Sequence, residues 1–547
     1  MSNKTKILLL GLTNKSGLGV ARSLRKSGCV VDAILFKDVA AKYSRFIKKT
    51  YHFGDPAVNA DQCINRMIEH LEKENYDALI PIHDGALELC RYRKEEISSK
   101  VKIVGLNVDD AYKYSIDKSE LLKAGKEFGL LIPEGILITS LAEYQEADLS
   151  GYTFPIVAKP VSSAKIVNNK WVGFSVKICN TEAELRDFVR ENINIVPMLI
   201  QEFVEGYGIG YNFIAKDGEI LNAYIHRRIN EYKGVSTYRE SLLAEEYGVE
   251  DKIKQLIKYT KWNGVGMVEF KVDSDGTPKL MEFNGRFFGS IEVSARAGVN
   301  LPKLFLELFI LNNEIPRELP VKKVAVRFLH DEVLLMTEAA LKLKLKTYFK
   351  WLGQVIASTF KRNSFVEDSI FTDPGFSMGM YLFDVKRIFR KRYTAIKIKT
   401  TRVKPLKKEN LQGVKTIAFF CHGNICRSPF AKLVADNLSK DYVFDSGGIV
   451  VKEDRISPVN AVLASKKFNV DLSTHLSKSL YSFEKDNVDL FIVMDKKNYH
   501  TLLKEGIQSS KVYFLSNKEV NDPYSKGVEY FEEIYESINK ELVRIFR

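Results

Sequence analysis

The sequence has 547 residues, 45% hydrophobic and 28% charged, which is ordinary globular composition in a chain too long for one core. No apolar run long enough to span a bilayer occurs, so no membrane-spanning helix is expected. The formal net charge of +13 is concentrated, because residues 341–410 hold 17 Lys and Arg against 5 Asp and Glu. The remainder is close to neutral, and the basic balance describes one segment. Of the six cysteines, Cys29, Cys63, Cys90 and Cys179 are scattered and only Cys421 and Cys426 lie close together. This is neither a disulfide framework nor a zinc pattern, and a reducing cytoplasm is the expected compartment.

In chain order, Ile7 to Leu10 reads as a buried first strand, its apolar stretch being short for a signal peptide. Gly11 to Gly19 forms a flexible turn before a helix that begins at Val20. Its glycines lack the Gly-x-Gly-x-x-Gly spacing, so a glycine turn in an α/β unit is expected rather than a dinucleotide site. Strands at 29–31, 33–35, 77–81 and 101–104 and helices around 61–74 and 84–95 complete this unit. His83 and Asp84, at a strand end, either touch a substrate or satisfy the loop.

Residues 117–311 carry a set of ordered pieces. Asp117 and Lys118 open a helix ending near Gly129, and the strand 154–160 delivers Lys159. The strand 198–204 runs into a hinge at Gly206. Strands at 266–272 and 280–286 pair around the turn 273–276. A nucleoside triphosphate needs cations for its phosphates, and its metal ions need oxygen ligands. Glu282 and Asn284 are two apart, so on a strand they share a face. Together the pieces resemble the ATP-grasp superfamily over most of residues 1–320. The resemblance implies that Lys118 and Lys159 bind ATP phosphates and that Gln201, Glu202, Phe203 and Val204 receive the adenine. It also implies that Glu269, Glu282 and Asn284 hold Mg2+ or Mn2+, and that Arg286 stabilises an acyl-phosphate or its tetrahedral successor. The implied chemistry joins a small carboxylate to an amine or similar nucleophile. Two departures stand out: the segment from Val161 to Gly173 is poor in glycine, and Tyr207 follows Gly206 where many relatives carry an acid.

In the basic segment, Tyr348, Trp351, Leu352, Val355, Ile356 and Phe360 recur at helical spacing. Two readings stay open: a helix packed on the preceding domain with a solvated basic face, or an interfacial helix. For the second, residues 341–408 would meet an anionic membrane surface or an acidic protein partner. Nucleic acid is not expected, since no recognised binding module accompanies the charge. The stretch from Lys386 to Lys408 reads as a solvated linker.

The last signal is Cys421-His422-Gly423-Asn424-Ile425-Cys426-Arg427-Ser428-Pro429, which follows the apolar run 416–420 and precedes a helical pattern. Strand, small-residue loop and helix N-terminus in that order present backbone N–H groups to an anion. A Cys at the loop's start should be a thiolate near neutral pH, and Arg427 offers a planar fork matched to phosphate oxygens. Strands are expected at 415–420, 442–445, 489–494 and 511–515, with helices at 428–439, 457–467, 496–504 and 526–545. With Asp445-Ser446-Gly447, His475, Asp495, Asn498 and Asp522-Pro523-Tyr524, this region resembles a low-molecular-weight protein tyrosine phosphatase. The resemblance implies Cys421 as nucleophile, Arg427 and Ser428 as stabilisers, Asn424 as shaper of the loop and Asp522 as proton donor. Phosphotyrosine protein or an aryl phosphate would be the substrate. No cysteine follows Cys426, which argues against the arsenate-reducing relatives of this fold. Cys426 is either a guard that forms a disulfide with Cys421 or a small buried residue.

The expected architecture is multidomain α/β. It comprises a Rossmann-like pre-ATP-grasp subdomain (1–115), an α+β ATP-grasp domain (116–320), a basic, partly helical connector (321–410) and a small doubly wound phosphatase domain with a parallel sheet (411–547). Two functions are carried forward: a bifunctional ligase and phosphatase, or a phosphatase whose front half is a nucleotide-binding sensor or docking module.

Overall fold

The computed structural model describes residues 4–232, 234–341, 345–359, 361–450 and 452–547; Phe360 lies outside them. Two compact units result, one of residues 1–134, 161–174 and 203–386, the other of 135–160, 175–202 and 387–547.

The first unit begins with a parallel sheet in the order Thr50–Tyr51, Val30–Ile34, Lys6–Leu10, Ala78–Pro81. The run 101–104 supplies no strand there, only a single bridge from Ile103 to Leu79. Gly11 ends the first strand with φ +76°, and a Cβ on it would lie 2.4 Å from His83 Nε2, so only glycine fits this approach. His83 caps the helix Asp84–Tyr92 through Nδ1, and burial pushes its imidazole down to about 4. A seven-stranded sheet follows, in the order Pro278–Asn284, Gly264–Val272, Tyr207–Lys216, Glu219–Tyr232, Val235–Leu242, Ala325–Arg327, Ser364–Val366. Its neighbours pair antiparallel except for the last two strands.

Residues 321–410 therefore include sheet as well as helix. The two short strands join the sheet by backbone pairing. A buried ion pair of Arg239 with Glu367 ties the end of the last strand to Val235–Leu242, and one of Arg327 with Glu332 ties the other short strand to the helix Leu329–Leu341 that follows it. Burial pushes the Glu367 carboxyl up to about 7 against the pull of Arg239. The stretch read as a solvated linker is largely helical, within Pro374–Thr400. That helix exposes Ile388, Phe389, Tyr393 and Ile396 among its lysines and arginines. Among the described residues no helix is long and apolar enough to cross a membrane.

The segment from Val161 to Gly173 forms a hairpin, Ala164–Val167 with Lys170–Gly173. Asn168 and Asn169 turn it with positive φ, and Asn169 caps the N-terminus of the helix Ala60–Lys73. Trp171 covers Gly85, where a Cβ would lie 2.6 Å from the indole. Side-chain packing thus holds a segment that lacks the usual glycines.

The second unit contains two four-stranded sheets. One is antiparallel, in the order Gly135–Ile138, Met198–Glu202, Ile156–Pro160, Lys177–Cys179, and carries the helix Glu182–Asn192. Thr181 caps that helix by accepting from Glu184 N, and Leu185 and Val189, four apart, are buried. The other sheet is parallel, in the order Val443–Gly448, Thr416–Cys421, Leu490–Val493, Val512–Phe514. Ile417 and Phe419 enter one core with Cys421, while Ala418 and Phe420 enter another on the opposite face. The chain is thus multidomain α/β, with parallel sheets near both ends.

Candidate active sites

Cys421 ends the strand Thr416–Cys421, and the helix Arg427–Leu438 begins six residues later. In the loop between them Asn424 N–H donates to Cys421 Sγ at 3.3 Å, and Ser428 Oγ donates to the same sulfur at 3.1 Å. Asn424 is fully buried and left-handed, with φ +53°, a conformation that asparagine tolerates better than most residues. Its Nδ2 donates to Ser428 Oγ (3.0 Å) and Ser446 Oγ (2.9 Å), and its Oδ1 accepts from Lys478 N (2.8 Å). His475 Nε2 lies 2.7 Å from its carbonyl. One side chain and one peptide thereby lock the loop to three surrounding segments.

Arg427 is buried beneath the loop. Its Nη1 donates to Asp495 Oδ2 (3.0 Å) and to the Val520 carbonyl (2.8 Å), while Nη2 pairs with Asp522 Oδ2 at 2.8 Å. Burial works against its charge, but Cys421, Asp522 and Asp495 outweigh this and raise its pKa. Its Nε is buried without a partner among the described residues, a donor that a bound oxyanion would satisfy. Cys421, Arg455, Asp522 and Tyr524 line a cavity of about 320 Å3. Cys426 is a buried free thiol, and burial pushes it well above the ordinary thiol range.

A Cys loop over a buried Arg, with an Asp on that Arg, is a phosphate-handling arrangement. Residues 416–547 match the family described as low molecular weight phosphotyrosine protein phosphatase. Residues 194–330 match one described as ATP-grasp in the biosynthetic pathway with Ter operon. The chain joins an ATP-grasp domain to a low molecular weight phosphotyrosine protein phosphatase domain.

The phosphatase domain is similar to the probable low molecular weight protein-tyrosine-phosphatase EpsP of Ralstonia nicotianae. The two are 29% identical over 131 residues, covering 23% of this chain and 90% of that one. It is also similar to the low molecular weight phosphotyrosine protein phosphatase of Sus scrofa, with 28% identity over 141 residues covering 23% and 89%. Among solved structures, the biotin carboxylase β-γ-ATP complex of Campylobacter jejuni aligns with TM-score 0.47 and 14% identity, over 59% of this chain and 74% of that one.

In the first unit, Lys118 is buried at the start of the helix Lys118–Glu127, with Nζ 3.0 Å from Ser163 Oγ. Asn284 lies between two carboxylates, its Nδ2 3.0 Å from Glu269 Oε1 and 3.1 Å from Glu282 Oε1. Arg228 pairs with the other oxygen of Glu269. Burial pushes the Glu269 carboxyl up, Arg228 pulls it down and Glu282 pushes it up again. Two facing carboxylates beside an amide, whose rotation would present its oxygen, form a hard-oxygen donor set that fits Mg2+ or Mn2+. Arg286 lies beyond the strand end and holds Asp84 in a two-pronged pair, Nε to Oδ1 at 2.7 Å and Nη2 to Oδ2 at 2.8 Å. Phe203, exposed, and Val204, buried, also belong to this unit.

In the second unit, Lys159 and Leu199 are register partners on adjacent strands, and Gln201 and Glu202 end the neighbouring strand. Gln201 is buried, and its Oε1 has no partner among the described residues. An orphaned acceptor there fits a ligand carrying an N–H donor, such as the adenine amino group.

Sequence reasoning missed Arg455 and Arg228. Arg455 Nη2 holds the carbonyl of Gly423 inside the phosphatase loop. It arrives from a segment with no motif of its own. Arg228 meets Glu269 only because two strand pairings bring their strands together, which no sequence spacing signals.

Proposed function

We propose that the chain is a bifunctional enzyme: a protein-tyrosine phosphatase working through a cysteinyl-phosphate, and an ATP-dependent ligase of the carboxylate–amine type. The observation that carries the first activity is the convergence of Asn424 N–H and Ser428 Oγ on Cys421 Sγ, with Arg427 reaching Asp522. Cys421 Sγ attacks phosphorus, and the bond to the aryl oxygen breaks as Asp522 delivers a proton to that oxygen. The equatorial oxygens are held by loop N–H groups and Arg427. Ser428 stabilises the sulfur when it leaves. Asp522 then takes a proton from the water that breaks the S–P bond. This assignment predicts that Asp522→Ala slows aryl phosphates with poor leaving groups by about a hundredfold or more and good ones far less. Hydrolysis rates across a series of substituted phenyl phosphates check it; a uniform loss across the series contradicts the donor role.

For the front half, Lys118 and Lys159 would bind the ATP phosphates, Gln201, Glu202, Phe203 and Val204 the adenine, and Arg286 an acyl-phosphate. Glu269, Glu282 and Asn284 would hold Mg2+ or Mn2+, which supplies charge neutralisation at the transferring phosphoryl group. The orphaned Gln201 acceptor and the paired carboxylates around Asn284 support this reading. A second reading, a nucleotide sensor without turnover, is favoured by Arg228 and Asp84, which already engage Glu269 and Arg286. ADP release during a screen of small carboxylates with amines separates them. The ligase reading expects at least one pair to raise ADP release about tenfold above ATP alone. ATP binding with no such pair favours the sensor. The exposed apolar side chains and cations of the helix Pro374–Thr400 support an anionic membrane surface as the partner of residues 341–408.

A further inference from the structure

The cavity over Cys421 has one wall that the phosphatase domain does not supply. Glu191, near the end of the helix Glu182–Asn192, lines it beside Arg455, Asp522 and Tyr524. The helix belongs to the antiparallel-sheet lobe and lies within the same compact unit as the phosphatase domain. Four contacts hold its end there. Tyr524 OH donates to Glu191 Oε1, and Arg190 Nε donates to the Ser457 carbonyl at 3.0 Å. Lys452 Nζ donates to Asn192 Oδ1, and Asn194 Nδ2 lies 3.5 Å from the Asp454 carbonyl. Arg190 and Asn192 are buried. Three successive side chains of one helix end thus contact two parts of the phosphatase rim, the loop of Lys452 and Ser457 and the segment of Tyr524.

The wall residues do different work. The transferred phosphate would be held by the loop that lines the cavity floor from Cys421 to Cys426 and by Arg427, which is buried behind it and reaches Asp522. Arg455 turns one arm onto the Gly423 carbonyl and is buried with the loop. Tyr524 stays a neutral donor, because burial and the nearby Glu191 and Asp187 raise its hydroxyl. Burial brings the Lys452 ammonium down to about 8 while Glu191 pulls it up, so at neutral pH it stays largely charged and offsets part of the Glu191 carboxylate. Glu191 and Asp522 are the carboxylates in the wall. A substrate whose phosphate sits on the loop must lead its remaining atoms out past them.

We propose that Glu191 is a specificity-determining residue of the phosphatase site. Its carboxylate favours phosphotyrosine substrates that carry a cationic group next to the phosphorylated ring and disfavours those that carry an anionic one. The lobe in front thereby takes part in choosing what the phosphatase hydrolyses. The physical basis is charge complementarity at a partly desolvated rim, which discriminates by repelling the wrong partner as well as by attracting the right one.

This rests on the phosphatase reading, and the test separates the two. With the full-length chain, kcat/KM is measured on p-nitrophenyl phosphate and on two phosphotyrosine peptides, identical except for Lys or Glu on both sides of the phosphotyrosine. The wild type should prefer the Lys-flanked peptide by about fivefold. Glu191→Gln keeps an acceptor for Tyr524 and removes only the charge, so the ratio should fall to about one. Glu191→Lys should reverse it, and raising the salt concentration should flatten the wild-type preference. An unchanged peptide ratio in both variants, with p-nitrophenyl phosphate still hydrolysed, would overturn the proposal alone. Failure of the wild type to hydrolyse p-nitrophenyl phosphate and both peptides would overturn the phosphatase reading and this proposal with it.

Discussion

Cys421→Ser should lower aryl-phosphate hydrolysis by at least about a thousandfold while phosphate-analogue binding persists. A serine hydroxyl is a far weaker nucleophile than a thiolate, and nothing in this loop is placed to deprotonate it. The neighbours of the sulfur are donors: the Asn424 N–H at 3.3 Å and the Ser428 hydroxyl at 3.1 Å. They suit an anion that attacks and leaves, and a neutral hydroxyl gains little from them. The loop itself should survive, because Asn424 fixes it through Ser446, Lys478 and His475 independently of the sulfur. Steady-state rates and titration with vanadate or inorganic phosphate check both halves of the expectation. Cys426 should not take over, since burial holds its thiol protonated.

Arg427→Ala has the second large effect, and it acts on stability as well as rate. The guanidinium is buried against Asp495, Asp522 and the Val520 carbonyl. Its removal leaves Asp495 facing a cavity without its counter-charge, and breaking such a buried pair costs about 3–5 kcal/mol. The oxyanion partner is lost at the same time, worth about a hundred- to a thousandfold in rate. Arg427→Lys separates the contributions. A lysine keeps the charge but cannot bridge Asp495, Val520 and an incoming phosphate at once. It should recover most of the stability in urea denaturation and little of the rate.

What the sequence could tell depended on how local each feature is. The Cys421 loop is contiguous, and strand, loop and helix start follow from the apolar run, the small residues and the helical spacing after Ser428. Asp522 is far along the chain and was reached only through the resemblance carried by Asp522-Pro523-Tyr524. Arg455 sits in a segment with no pattern, so nothing announced its grip on Gly423. Asp84 stands out at its strand end, but its pairing with Arg286 exists only after the fold joins the N-terminal α/β unit to the long sheet.

Residues 321–410 contain two three-residue strands, each too short for alternation to show, and the second lies within the basic segment. What fixes them is backbone pairing with strands far away in the chain and the buried Arg239–Glu367 ion pair, a tertiary effect. The run 101–104 failed for the opposite reason. It is apolar enough for a strand, yet it sits at the sheet's edge and makes one bridge. Glu191 was invisible as well, because helical spacing explains Leu185 and Val189 but says nothing about where a helix end docks.

Trapping the covalent intermediate tests the central claim most directly. Full-length Asp522→Ala, mixed with an aryl phosphate bearing a good leaving group and quenched in acid, should carry one phosphoryl group on the peptide containing Cys421. That adduct should be absent in the Asp522→Ala, Cys421→Ser double variant. Turnover of the aryl phosphate with no adduct at Cys421, or with the phosphoryl group on another residue, would contradict the account.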